Sequence, residues 1–168
     1  MWTVIKYKSN NYNLMKKSLK ERFGDIIKFY RPELKFKKRI KNKEKMLCSP
    51  IINNYVFCYL KDFENSKIIS SCRNIIGVDY FLEGCNLNQK EIINFINFCK
   101  NHEDSNGGIL PNFFLYLKVN KAQFINGPFS NIVFDILEKK NNFIKVSFGN
   151  FKAKVKYKTN NYFKPCFN

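Results

Sequence analysis

A chain of 168 residues has room for one ordinary domain, or for a domain of roughly 100 residues followed by a smaller one. With 45% hydrophobic residues, 18 Phe and only 7 Gly and 5 Pro, it is globular and neither disordered nor fibrous. The net charge of +17 calls for an anionic partner, since clustered cations bind phosphates by releasing condensed counterions.

An AT-rich coding sequence favours Lys, Asn, Ile and Phe and accounts for part of that charge, but drift would spread it evenly. Instead residues 1–45 hold 15 Lys and Arg against 4 Asp and Glu, while the remaining 123 residues hold 15 against 9. The densest stretch, from Lys35 to Lys45, interleaves apolar residues with cations, as expected of a ribbon or loop that meets a phosphate backbone. The scarcity of Arg (Arg22, Arg31, Arg39, Arg73) argues against extensive bidentate reading of bases.

In chain order, Trp2 to Lys8 is β-branched and aromatic and predicts a strand. Ser9, Asn10 and Asn11 offer capping oxygens to a helix carrying Tyr12, Met15, Leu19 and Phe23, and Gly24 stops it. Strands are predicted over 25–30 and 33–40, separated at Arg31-Pro32, and over Asn54 to Leu60. A short helix follows over 65–73, then a strand over Val78 to Leu82 entered through Gly77. Asn88 and Glu91 form a capping-box pattern for a helix with Ile92, Phe95, Ile96 and Cys99 on one face. The order β-α-β-β-β-α-β-α indicates an α+β fold, an antiparallel sheet with helices packed on it.

Asn101 to Pro111 is polar, with Gly107-Gly108, and reads as a linker. Beyond it, apolar alternation over Leu115 to Ile125, Ile132 to Leu137, Phe143 to Phe148 and Ala153 to Tyr157, broken by Asn- and Gly-rich turns, describes a small β-barrel or meander. Phe129, Ile132, Val133, Ile136 and Leu137 also fit helical spacing, with Lys139 and Lys140 at the favourable end of the dipole.

Six cysteines (Cys48, Cys58, Cys72, Cys85, Cys99, Cys166) are far apart without a C-x-x-C pair, four of them in apolar runs, and read as buried free thiols. No signal peptide or run of about 18 apolar residues is visible, so a cytoplasmic chain without a membrane partner is expected, and Cys166-Phe167-Asn168 is not a prenylation box. The single His102 stands beside Glu103 and Asp104 at a helix end, and there is no phosphate loop, nucleophile motif or metal spacing. An enzyme is not expected, nor a cofactor.

Trp2-Thr3-Val4-Ile5, Tyr30-Arg31-Pro32-Glu33, Pro50 to Phe57 and Gly77 to Leu82, in this order and spacing, resemble the NGN domain of the NusG/RfaH family of transcription elongation factors. Phe124 to Phe129, with Gly127-Pro128, resembles the start of that family's KOW domain. The resemblance implies an NGN-type α/β sandwich over residues 1–101, a linker over 102–114 and a small all-β KOW-type barrel over 115–168. It places the polymerase-binding surface, which meets the β′ clamp helices, on Tyr55 and Phe57, with Phe81 extending it. From the residues alone, a Tyr and a Phe two apart in a strand fill a core. A second contact, to the β gate loop, falls near Ser66 to Ser71, where no individual residue is assigned.

Phe129 matches the loop residue that meets Rho or a small-subunit ribosomal protein. However, Gly149 to Val155 replaces the housekeeping ending, and the glycine usual after the Gly-Pro-Phe loop is missing. These departures point to a specialised paralogue and put Rho binding in doubt. RfaH-like proteins hide their polymerase patch under a helical form of this domain, which gives the helical spacing above its interest. Lys6, Lys8, Lys37, Lys38, Arg39 and Lys41 are expected to lie near upstream duplex or the displaced non-template strand. The implied function is a monomeric factor that rides on RNA polymerase and suppresses pausing or termination on selected operons. The competing reading is a general nucleic-acid-binding or ribosome-associated KOW protein, and a polymerase inhibitor would share the surface.

Overall fold

The computed structural model describes residues 1–40, 43–110, 120–125, 132–140, 143–156 and 163–166. The chain divides into two compact units, Met1–Pro32 with Ile52–Asn101, and Glu33–Ile51 with His102–Asn168.

The first unit is built on an antiparallel sheet of four strands in the order β2-β5-β1-β6: β1 Trp2–Tyr7, β2 Lys28–Tyr30, β5 Tyr55–Tyr59 and β6 Val78–Phe81. Because side chains alternate across a strand, the sheet has two apolar faces. Ile5, Tyr7, Val56, Cys58, Val78 and Phe81 pack with Met15 and Leu19 of helix α1 (Tyr12–Phe23), Ile68 and Ile69 of α2 (Ser66–Ser71), and Phe63. Val4 and Phe57 on the other face pack with Ile92, Phe95 and Ile96 of α3 (Gln89–Lys100). The expected α+β sandwich is present, with helices on both faces.

Several local expectations hold for the reasons given. Met15 and Leu19, four apart, put α1 on the sheet, and Gly24 ends it at a φ of 70°, which costs glycine little. Gly77 is required differently: at φ +86° a Cβ there would lie 2.8 Å from the backbone N of Met15, so the turn into β6 packs directly on α1.

Others are corrected. The strand expected from residue 25 begins only at Lys28, because Gly24–Ile26 forms a 3-10 turn. The capping box at α3 is not made: the Asn88 amide instead donates to the Gly84 carbonyl at 2.8 Å. The adjacent Gln89 does the positioning. Its Oε1 accepts from the Trp2 amide at 2.9 Å, and its Nε2 donates to the Trp2 carbonyl at 2.7 Å and to that of Cys85 at 2.6 Å, which fixes the start of α3 to the start of β1.

In the second unit, β3 (Glu33–Ile40) and β4 (Lys43–Pro50) form an antiparallel ribbon, extended by the short parallel β7 (Gly108–Ile109) on Glu33 and Leu34. β4 was not read from the sequence, since Lys43 to Pro50 lacks β-branched residues and forms a strand only by pairing with β3. Part of the stretch expected as linker is tied down in β7. A second sheet, antiparallel throughout, runs β11-β10-β9-β8-β12: β8 Lys121–Phe124, β9 Val133–Lys140, β10 Phe143–Phe148, β11 Phe151–Lys156 and β12 Phe163–Pro165. Its core is the ring group Phe124, Phe134 and Phe163 with Ile144 and Val146. This is the small all-β part expected of a KOW-like domain, and β9 is a strand where helical spacing also fitted. Cys58, Cys72, Cys85 and Cys99 are buried as expected, but Cys48 is exposed and Cys166 only partly covered.

Candidate functional site

The register of the first sheet decides which predicted residues share a surface. Lys6 of β1 stands opposite Tyr55 of β5 and opposite Tyr80 of β6, and Val4 stands opposite Phe57. Directly opposed residues project on the same face, so Tyr55, Phe57, Lys6 and Tyr80 belong together, on the side covered by α3. Phe57 is only 6% exposed, with its ring 5.6 Å from Phe95 and 6.3 Å from Tyr30. It is the floor of the site rather than its surface, in line with the core preference of a Tyr-x-Phe strand.

Tyr55 is half-buried and Tyr80 is 40% exposed. Their phenol oxygens are 3.0 Å apart, in a hydrogen bond that either can donate. That bond, then partial burial, holds the Tyr55 phenol above its ordinary pKa. The Lys6 ammonium lies 5.0 Å from the centre of the Tyr80 ring and 3.5 Å from Asp79. Tyr80, then Asp79, raise its pKa. Lys100 brings a second cation 5.4 Å from the Tyr30 ring. The site is an aromatic shelf with two cations on it.

Phe81, expected to extend the patch, does not join it. Opposite Ile5, it points to the other face, is 7% exposed and packs edge-on against Phe63 at 5.7 Å. The residue that does join is its neighbour Tyr80. Alternation along β6 says that the two part company, but only the register to β1 says which one meets Tyr55. Lys6, expected to serve nucleic acid, is engaged in the shelf, whereas Lys8 is exposed.

The basic ribbon is a separate feature. Lys37 is exposed opposite the exposed Met46, and its ammonium reaches Glu44 at 3.4 Å. Lys38 and Arg39 pair by backbone register with Lys45 and Glu44. Lys41 and Phe129 lie outside the described residues. At the base of the ribbon, Lys35 donates to both oxygens of Asp104 at 2.8 Å, while the amides of Asn106 and Gly108 donate to Oδ1 at 2.9 and 3.0 Å. These bonds, that of Lys35 first, lower the Asp104 pKa to about 2. In the segment expected near a second contact, Asn65 caps α2 by accepting from the Lys67 amide at 3.0 Å. Arg22 of α1 donates to the Ser71 hydroxyl and carbonyl at 2.7 and 2.9 Å.

Among the described residues, no group of three or more His, Cys, Asp or Glu side chains is placed to hold a metal ion. No described helix is long and apolar enough to cross a membrane.

Comparison with known proteins adds the following. The family model described as "Transcription termination factor nusG" matches residues 1–96, more than half of the chain. Two solved structures resemble it over nearly the whole length. One, titled "Crystal Structure of MjSpt4:Spt5 complex conformation B", is 8% identical, with 100% of this chain and 99% of that one covered and a TM-score of 0.31. The other, "Domain interaction in Thermotoga maritima NusG", is 13% identical, with 98% and 96% covered and a TM-score of 0.33. No curated protein matches the chain significantly.

Proposed function

The chain belongs to the NusG family of transcription factors, and from that premise we propose that it rides on RNA polymerase, binding through the aromatic shelf of its first unit. Tyr55 and Tyr80 form the contact, Phe57 supports them from below, and the Lys6 and Asp79 pair frames the edge. The observation that carries this reading is the Tyr55 to Tyr80 hydrogen bond. It holds two large amphipathic rings in one place at the rim of α3's cover, the kind of pre-ordered anchor that dominates protein interfaces.

On this reading the β′ clamp helices take the shelf, and the segment around Ser66 to Ser71 meets the β gate loop. Bridging both sides of the cleft holds the clamp closed and suppresses pausing or termination. The ribbon with Lys37, Lys38, Arg39 and Lys41 supplies sequence-independent attraction to upstream duplex or the displaced non-template strand. The altered Gly149 to Val155 ending supports a specialised paralogue acting on selected operons. Phe129 is the candidate contact for a ribosomal protein or Rho.

The test is binding of core polymerase by the full chain carrying Tyr55→Ser and Tyr80→Ser. We expect affinity to fall about 30-fold or more, as for loss of a hot spot, with binding to free duplex unchanged. Unaltered polymerase binding in the double variant, with loss of activity only on neutralising Lys37, Lys38, Arg39 and Lys41, would instead establish the general nucleic-acid-binding reading favoured by the basic ribbon.

A further inference from the structure

The second sheet carries a charged face to which none of the functions above assigns a role. In β10 and β11 one face carries Ile144, Val146 and Phe148, paired with Val155, Ala153 and Phe151; Ile144 and Val146 are buried there, whereas Phe151 is exposed. The outward positions are Phe143, Lys145 and Ser147, opposite Lys156, Lys154 and Lys152. Three lysines therefore alternate along β11 on one face, about 6.6–6.8 Å apart along the strand. Lys145 stands beside them, and β9 adds Lys140 opposite Phe143. All five lysines are exposed.

This arrangement costs the fold something. Lys145 and Lys154 face each other directly, and like charges so placed are destabilising. The structure manages the conflict by turning each away. Lys145 bonds to Glu138, which also takes Lys140 at 3.1 Å, while the Lys154 ammonium sits 3.8 Å from the centre of the Phe143 ring. Phe143 is half-buried, with the Lys140 ammonium at 5.9 Å as well. An aromatic ring ringed by cations, next to a row of evenly spaced lysines, is the pattern that holds a single strand: phosphates on the cations and a base on the ring.

We propose that the outer face of β10 and β11 binds single-stranded nucleic acid, with Lys152, Lys154 and Lys156 on successive phosphates and Phe143 beneath one base. These contacts reach phosphates and a base face and none needs a 2′-hydroxyl, so RNA and DNA strands of one sequence bind alike. A duplex, whose bases are already stacked, binds more weakly. The surface is distinct from the ribbon of β3 and β4 and does not rest on polymerase binding.

The experiment is fluorescence anisotropy of the full chain with labelled RNA and DNA strands of about 12 nucleotides, and with a duplex, across a salt series. Changing Lys152, Lys154 and Lys156 together to Gln should lower the slope of log K against log salt by about 2, three contacts at ~0.7 each. Lys17, Lys20 and Lys90, exposed on other elements, changed together to Gln remove the same charge and should move the slope by less than about 0.5. Phe143→Leu should weaken single-strand binding about fivefold or more, while Phe143→Tyr, which keeps an aromatic face, retains it. Equal slope changes in the two lysine triples, a duplex bound as tightly as the single strand, or equal losses in both Phe143 variants would overturn the proposal.

Discussion

The phenol oxygens of Tyr55 and Tyr80 meet at 3.0 Å across β1, an inner strand of the first sheet, whose Lys6 stands opposite both residues. The two rings belong to strands that are not neighbours, so the bond closes a bridge over β1 and fixes both side chains at once. Tyr80→Phe removes the partner while keeping the ring. The Tyr55 pKa, raised first by that bond, should then fall toward its ordinary value, as read by NMR of ring-labelled tyrosine. A Tyr55 titration identical in the two proteins would show that the bond does not form in solution.

Phe81 should behave as core. Packed against Phe63 on the face opposite the shelf, its truncation to Ala is expected to cost about 3–5 kcal/mol in urea unfolding. Tyr80→Ser should cost less than about 1.5 kcal/mol while weakening polymerase binding. If instead Phe81→Ala leaves stability intact and abolishes binding, the assignment of faces is wrong.

Gly77 gives a sharper test of the packing between α1 and the turn into β6. An alanine there meets the Met15 backbone at 2.8 Å and must also hold a φ of +86°. Backbone strain and overpacking together should destabilise the first unit by roughly 2–4 kcal/mol. Gly24→Ala, with a similar φ but nothing within 4 Å of the added methyl, should cost less, about 1–3 kcal/mol from backbone strain alone. Equal losses at the two sites would argue that the contact with α1 is absent.

The Asp104 clip predicts an acid transition with a definite sign. Its folded pKa of about 2 lies below the ordinary 3.8, so its contribution to stability is present above pH 4 or so and disappears as pH falls through about 2. Exchange of the Gly108 amide should accelerate over that window. The effect should be gone in Asp104→Asn. In Gly108→Ala the new methyl would occupy the space of the Lys35 chain, so Lys35 should swing off Asp104 and the transition should move up toward the ordinary carboxylate value. A Gly108 exchange profile that keeps the same acid limb in Asp104→Asn would assign it to another group.

What the sequence determined by itself was local. Apolar spacing announced α1 and α3, β-branched and aromatic runs announced β1, β5 and β10, and the uneven lysine distribution announced a basic ribbon. Each of these depends on residues within a few positions of one another, so periodicity and charge suffice. The order of elements and the motifs from Trp2 to Leu82 were also enough to point to the family, which the match over residues 1–96 bears out. Elements held by partners were not legible: β4 forms on β3, β7 on Glu33 and Leu34, and β12 on β8. Gln89 gave no signal, because its partners are the backbone groups of Trp2 and Cys85. The candidate site divides along the same line. Tyr55 and Phe57 could be named from one strand, but that Tyr80 meets Tyr55 while Phe81 turns away was decided only by tertiary structure. A strand's alternation fixes which of its residues face apart, and only its register with the neighbouring strand fixes which face is shared.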